Sequence, residues 1–122
     1  MQIPTETKSL IRKLCLFFKE KKCDAVIALD LREVNGYLSF FILATVKSSI
    51  QGRSIARDIE KQSKLMGLEK ASGLKQTARE GQEWILLDYG EICIHLMTQD
   101  MRDYYSLERL WGDAPLVPWE KG

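Results

Sequence analysis

The sequence predicts a single α+β domain: one mixed sheet of four or five strands, flanked by three helices. Three observations carry that reading. The chain has 122 residues, enough for one domain with a real core. Its 45% hydrophobic and 29% charged residues are ordinary globular usage. Its apolar residues also change period along the chain, from helical spacing to strand-like runs and back, and the period is the primary signal of element type.

The elements follow in order. After Pro4 and Thr5, the residues Leu10, Ile11, Leu14, Cys15, Phe17 and Phe18 recur at helical spacing. Asp24 to Leu31 reads DAVIALDL, and its five successive apolar residues predict a strand covered on both faces. Asn35-Gly36 is a hairpin signal, so Tyr37 to Val46 is expected to pair antiparallel with that strand. Ser48-Ser49-Ile50-Gln51 has the form of a capping box opening a second helix, whose apolar side is Ile55, Ala56, Ile59 and Met66. Gly67 is placed to stop it. Leu68 to Glu83 is the least patterned segment, with one short edge strand expected near Leu74 to Thr77. Trp84 to Leu87 and Ile92 to Met97 read as two more strands, joined by the turn Asp88-Tyr89-Gly90-Glu91. Met101, Tyr104, Tyr105, Leu107, Leu110 and Trp111 mark a last helix that Gly112 and Pro115 stop. The domain is read as residues 6–112, and 113–122 as an irregular tail. Hairpin-linked strands beside a crossover helix require a mixed sheet.

Charge and cysteine use narrow the function. Eighteen Lys and Arg against 17 Asp and Glu give a net charge of +1. That is too balanced for a protein holding nucleic acid through bulk charge, although a protein partner sitting on nucleic acid stays open. No run of 18 apolar residues implies a membrane span. Residues 1–13 lack the apolar region of a signal peptide, so a cytoplasmic location is expected. Cys15, Cys23 and Cys93 are odd in number and widely spaced, which reads as buried free thiols.

Catalytic chemistry finds little support. His95 is the one histidine. It shares strand parity with Cys93 and Met97, but residues two apart stand roughly 6–7 Å from one another, too far for a direct Cys–His pair. No Asp-x-Asp is present to hold two metal ions, and no glycine-rich phosphate loop is present. Ser48 and Ser49 at a helix start could bind an anion, but capping accounts for them. No cofactor, no metal and no enzyme activity are expected. By contrast, Trp84, Tyr89, Tyr104, Tyr105, Trp111 and Trp119 crowd the C-terminal part of the chain, and Trp and Tyr are the common anchors of interfaces. A binding module is the reading these residues favour.

The segment Gly81-x-x-Trp84-Ile85-Leu86-Leu87-Asp88-Tyr89-Gly90-Glu91-Ile92-x-Ile94-His95 resembles the "WvllDygdvvVH" block of the ribosomal silencing factor family, also called Iojap-like or RsfS. Arg102 to Trp111 resembles that family's "R-x-x-Y-x-L-E-x-L-W" helix. Ala28-Leu29-Asp30 is similar to its first strand, and Thr45-x-x-Ser48 followed by Gln51 to its strand-to-helix turn. The sequence departs from the family at Ser39-Phe40, Val46 and Ser106. The resemblance implies a fold related to nucleotidyltransferases without their catalytic carboxylates, often as a homodimer. It also implies docking on the large ribosomal subunit, at its fourteenth protein, which lies at the subunit interface. Members so docked block joining of the small subunit and silence translation when nutrients run short. Large-subunit assembly and a cryptic nucleotidyltransferase activity are the alternatives.

The partner-binding residues expected on this reading are Trp84, Asp88, Tyr89, Glu91, His95, Tyr105 and Glu108. Trp84 and Tyr89 would be the anchors. The carboxylates would pair with lysines or arginines of a basic ribosomal protein, and His95 would add a hydrogen bond. No membrane and no direct sequence-specific nucleic acid binding are expected. Strand parity puts Trp84, Leu86 and Asp88 on one side and Ile85, Leu87 and Tyr89 on the other, and at least one side must face the core.

Overall fold

A computed structural model describes residues 3–34, 39–66, 68, 77–79, 83–105 and 114–120. Three helices and five strands follow in the order α1 (Thr5–Glu20), β1 (Asp24–Asp30), β2 (Phe40–Val46), α2 (Ser49–Met66), β3 (Thr77–Arg79), β4 (Trp84–Asp88), β5 (Ile92–Thr98) and α3 (Gln99–Tyr105). The sheet order is β1-β2-β5-β4-β3. β2 and β5 run parallel at the centre, and every other neighbouring pair is antiparallel, so the sheet is mixed as expected.

β2 and β5 are the strands covered on both faces: all seven residues of each are buried. This corrects the reading of Asp24 to Leu31. β1 is an edge strand, and only its second half, from Ala28 onward, is well covered. Its first half holds a bulge between Asp24 and Ile27, where Ala25 takes a left-handed φ of 45°. A bulge of this kind bends an edge strand away from further pairing.

α1 and α2 lie on one face of the sheet. Ile11, Leu14, Phe18, Ile55 and Ile59 pack there against Ala28, Ile42, Val46, Ile85, Leu87, Ile94 and Leu96. The other face carries a second cluster of Leu29, Leu31, Phe41, Leu43, Cys93, Met97, Met101 and Ala114, with Trp84 and Leu86 half-buried against it. The parity of β4 therefore divides two apolar faces: Ile85 and Leu87 are fully covered, while Trp84 and Leu86 are half-buried and Asp88 is exposed.

The helix cap forms, with the glutamine reaching one residue before the N-cap. Ser48 Oγ accepts from the Gln51 amide at 3.1 Å, while Gln51 Oε1 reaches back to the Lys47 amide at 2.6 Å. Gly67, Asn35-Gly36 and residues 106–113 lie outside the described residues, and with them the expected helix stop, the hairpin turn and the end of the last helix. The short edge strand lies at Thr77–Arg79, slightly past its expected place.

Residues 114–119 run antiparallel along the edge of β1. The Asp30 amide donates to Pro115 O at 2.9 Å, and the Val117 amide donates to Ala28 O at 2.8 Å. Val117 and Trp119 join the main core, and Trp119 Nε1 donates to Val26 O at 3.3 Å. Cys15, Cys23 and Cys93 are free and buried, and burial pushes their thiols up to about 12, 11 and 12.

Candidate partner-binding site

Cross-strand register sets the geometry of the site. Trp84 faces Met97 and Leu86 faces His95, so the Trp84 indole reaches His95 diagonally. Trp84 Nε1 donates to His95 Nδ1 at 3.1 Å. The Phe41 ring stands 4.5 Å from the imidazole, centroid to centroid. An imidazole that accepts at Nδ1 is neutral with its proton on Nε2. Burial holds the His95 pKa down to about 4 and keeps the ring in that state near neutral pH. Its Nε2 is buried without a hydrogen-bond partner among the described residues.

The turn at the other end of the hairpin is organised by Asp88. Its Oδ1 accepts from the Gly90 amide at 2.8 Å and lies 3.6 Å from Cys93 Sγ. Gly90 supplies the positive φ of 79° that the turn requires. Asp88 and Glu91 are exposed, and Glu91 Oε1 accepts from Thr7 Oγ1 at 3.4 Å. Tyr89 turns inward. It is 6% exposed, its hydroxyl has no partner among the described residues, and burial raises its pKa.

The structure thus brings Trp84 and His95 together and places Asp88 and Glu91 roughly 13 Å along the hairpin, four strand steps away. Two expectations need correction. Tyr89 is no exposed anchor, because it has the parity of Ile85 and Leu87, which face the main core. His95 is 6% exposed and already bonded to Trp84, so it supports the surface from beneath. Tyr105 is the last described residue of α3, and Glu108 lies outside the described residues.

Arg102 escaped the sequence reading of the site. It is 6% exposed, and its Nη1 donates to Ala25 O at 3.0 Å and to Thr45 Oγ1. It ties α3 to β2 and to the bulge of β1. Its one sequence signal is its place at the head of the last motif. Arg102→Leu is expected to cost about 2 kcal/mol, the usual loss for charged hydrogen bonds, read as a lower denaturant midpoint. Tyr104, 79% exposed, is the most open aromatic among the described residues.

Among the described residues, no group of three or more His, Cys, Asp or Glu could hold a metal ion, and no helix is long and apolar enough to cross a membrane. The fold is an α+β sheet that sets an aromatic and acidic β4–β5 hairpin beside α3. The model of the family "Ribosomal silencing factor during starvation" matches residues 4–121. The chain belongs to that family. It is 30% identical over 115 residues to the ribosomal silencing factor of Bacillus subtilis, covering 94% of this chain and 95% of that one. It is 34% identical over 103 residues to that of Halalkalibacterium halodurans, covering 83% and 84%. A crystal structure of a Chromobacterium violaceum protein superposes with a TM-score of 0.73 at 28% identity, over 92% of this chain and 88% of that one.

Proposed function

We propose that the protein binds the large ribosomal subunit at the fourteenth large-subunit protein and sterically blocks the small subunit from joining, repressing translation under nutrient limitation. Membership of the silencing family across residues 4–121 carries this reading. The surface assigned to it is the exposed side of the β4–β5 hairpin and α3. Asp88, Glu91 and Glu108 would meet basic side chains, Trp84 and Tyr105 would supply apolar contact, and Tyr89 and His95 would brace that surface from within. A cytoplasmic location and a homodimeric free form belong to the same reading.

Sucrose gradients test it. Saturating protein is expected to co-migrate with purified large subunits and to deplete the joined particle when small subunits are added. Full joining at saturation would overturn the proposal. Glu91→Lys removes the Thr7 contact and the favourable charge that Glu91 presents to Arg32, both at the surface end of the hairpin. It is expected to slow association with the large subunit about tenfold at low salt, with the melting temperature unchanged. An unchanged rate would remove Glu91 from the docking surface.

A further inference from the structure

The near-zero net charge conceals a strong separation. Residues 5–22 and 49–66 hold ten Lys and Arg against four acids, Glu6, Glu20, Asp58 and Glu60. Residues 83–105 hold five acids, Glu83, Asp88, Glu91, Asp100 and Asp103, against one cation, Arg102, which is buried. The first group forms the α1–α2 layer on one face of the sheet; the second belongs to β4, β5 and α3.

The cations of α2 are themselves ordered. Arg53, Arg57 and Lys61 repeat every fourth residue, so they form one row with about 6 Å of rise per step. Arg57 and Lys61 are exposed and Arg53 is half-buried. Asp58 is bound to Lys21 of the turn after α1 at 3.0 Å, which fixes the two helices side by side. Lys13 is exposed on α1. Lys13, Arg53, Arg57 and Lys61 have no ion-pair partner among the described residues. Like charges four residues apart destabilise a helix, so α2 carries this row against its own stability. The apolar face of α2 is occupied by the core through Ile55, Ala56 and Ile59, and the exposed Ile50 and Leu65 stand at opposite ends of the helix, about 22 Å apart along its axis, too far to form one face that could enter a membrane.

We infer that the outer face of the α1–α2 layer, centred on Lys13, Arg53, Arg57 and Lys61, binds the phosphate backbone of RNA without reading its sequence. This rests on the proposed docking to the large subunit, a particle whose surface alternates basic protein and RNA backbone. The acidic pole of the molecule then meets protein, and the basic pole meets the phosphates beside it.

The full chain is titrated against a fluorescein-labelled single-stranded RNA of 20 nucleotides and arbitrary sequence. Four engaged cations give a slope of log K against log salt near −2.8, about a fifty-fold loss of affinity from 50 to 200 mM salt. In the double variant Arg57→Gln, Lys61→Gln the slope is expected to halve, to near −1.4. The two substitutions keep good helix formers and remove like-charge repulsion along α2, so the melting temperature should hold or rise. The same variant is expected to bind purified large subunits at least tenfold more weakly. Absent RNA binding by the wild-type protein at 50 mM salt overturns the inference. So does a slope unchanged in the variant, or binding to anionic phosphatidylserine vesicles in place of RNA. RNA binding without any large-subunit binding counts against the docking reading and leaves the basic face standing. Large-subunit binding that the double variant retains in full counts against the basic face alone.

Discussion

Trp119→Ala is expected to destabilise the protein by about 3–5 kcal/mol, the usual cost of truncating a buried Trp or Phe to alanine. The indole is 7% exposed, packs in the main core and hydrogen-bonds Val26 O. The substitution removes core volume and leaves a carbonyl of the edge strand without that donor. It also unseats the segment that covers β1, because Trp119 anchors the chain beyond the Pro115 and Val117 contacts. A chain ending at residue 113 would lose the two backbone hydrogen bonds as well and expose the edge of β1 from Ala28 to Asp30. Bare strand edges template pairing with other chains. The truncated protein is therefore expected to aggregate at concentrations where Trp119→Ala stays in solution. Denaturant titration and light scattering read the two effects. A Trp119→Ala protein with an unchanged midpoint would show that the tail does not hold the fold.

This part of the fold was hidden in the sequence for a physical reason. Pro115 and Pro118 read as breakers of regular structure, and apart from the bridge at Leu116 the segment forms no regular element. Yet an edge-covering segment needs only alternate amides. Asp30 donates to the carbonyl of Pro115, and Val117 donates to Ala28. Proline lacks an N–H but keeps its carbonyl, so it suits such an edge. The misjudged coverage of β1 has the same origin. A run of five apolar residues states that a strand will be buried somewhere, but strand order is decided by non-local pairing, which local pattern does not contain. The elements with strong local signals were legible: the α1 spacing, the Ser48–Gln51 cap and the turn at Asp88–Glu91.

For the candidate site the sequence nominates residues but does not carry their geometry. Parity grouped Tyr89 with Ile85 and Leu87, so its burial follows once the main core is known to lie on that side. The Trp84–His95 hydrogen bond needs the register of β4 on β5, which the turn length alone leaves unfixed. Arg102 needs more still: its partners Ala25 and Thr45 are 77 and 57 residues away.

Acidification is expected to destabilise the protein through His95. In the folded chain burial holds its pKa at about 4, whereas the unfolded side chain titrates at 6.5. Between these values the unfolded state binds the proton that the folded state refuses, so the stability difference rises with pH. The contribution is complete above pH 6.5 and is lost progressively as pH falls towards 4. The full loss amounts to about 3 kcal/mol, at 1.36 kcal/mol per unit. The imidazole is closed in by Phe41 and bound by Trp84, so protonation would also break the Trp84 hydrogen bond at Nδ1. Hence near-neutral conditions preserve the brace beneath the β4–β5 hairpin, and mild acid loosens it. His95→Gln keeps a polar group near Trp84 without the titration. Its stability is expected to vary less than that of the wild-type protein between pH 7 and pH 5, even where its absolute stability is lower. Urea midpoints at pH 7, 6 and 5 give the comparison. Parallel pH profiles for the two proteins would show that His95 does not set the acid sensitivity.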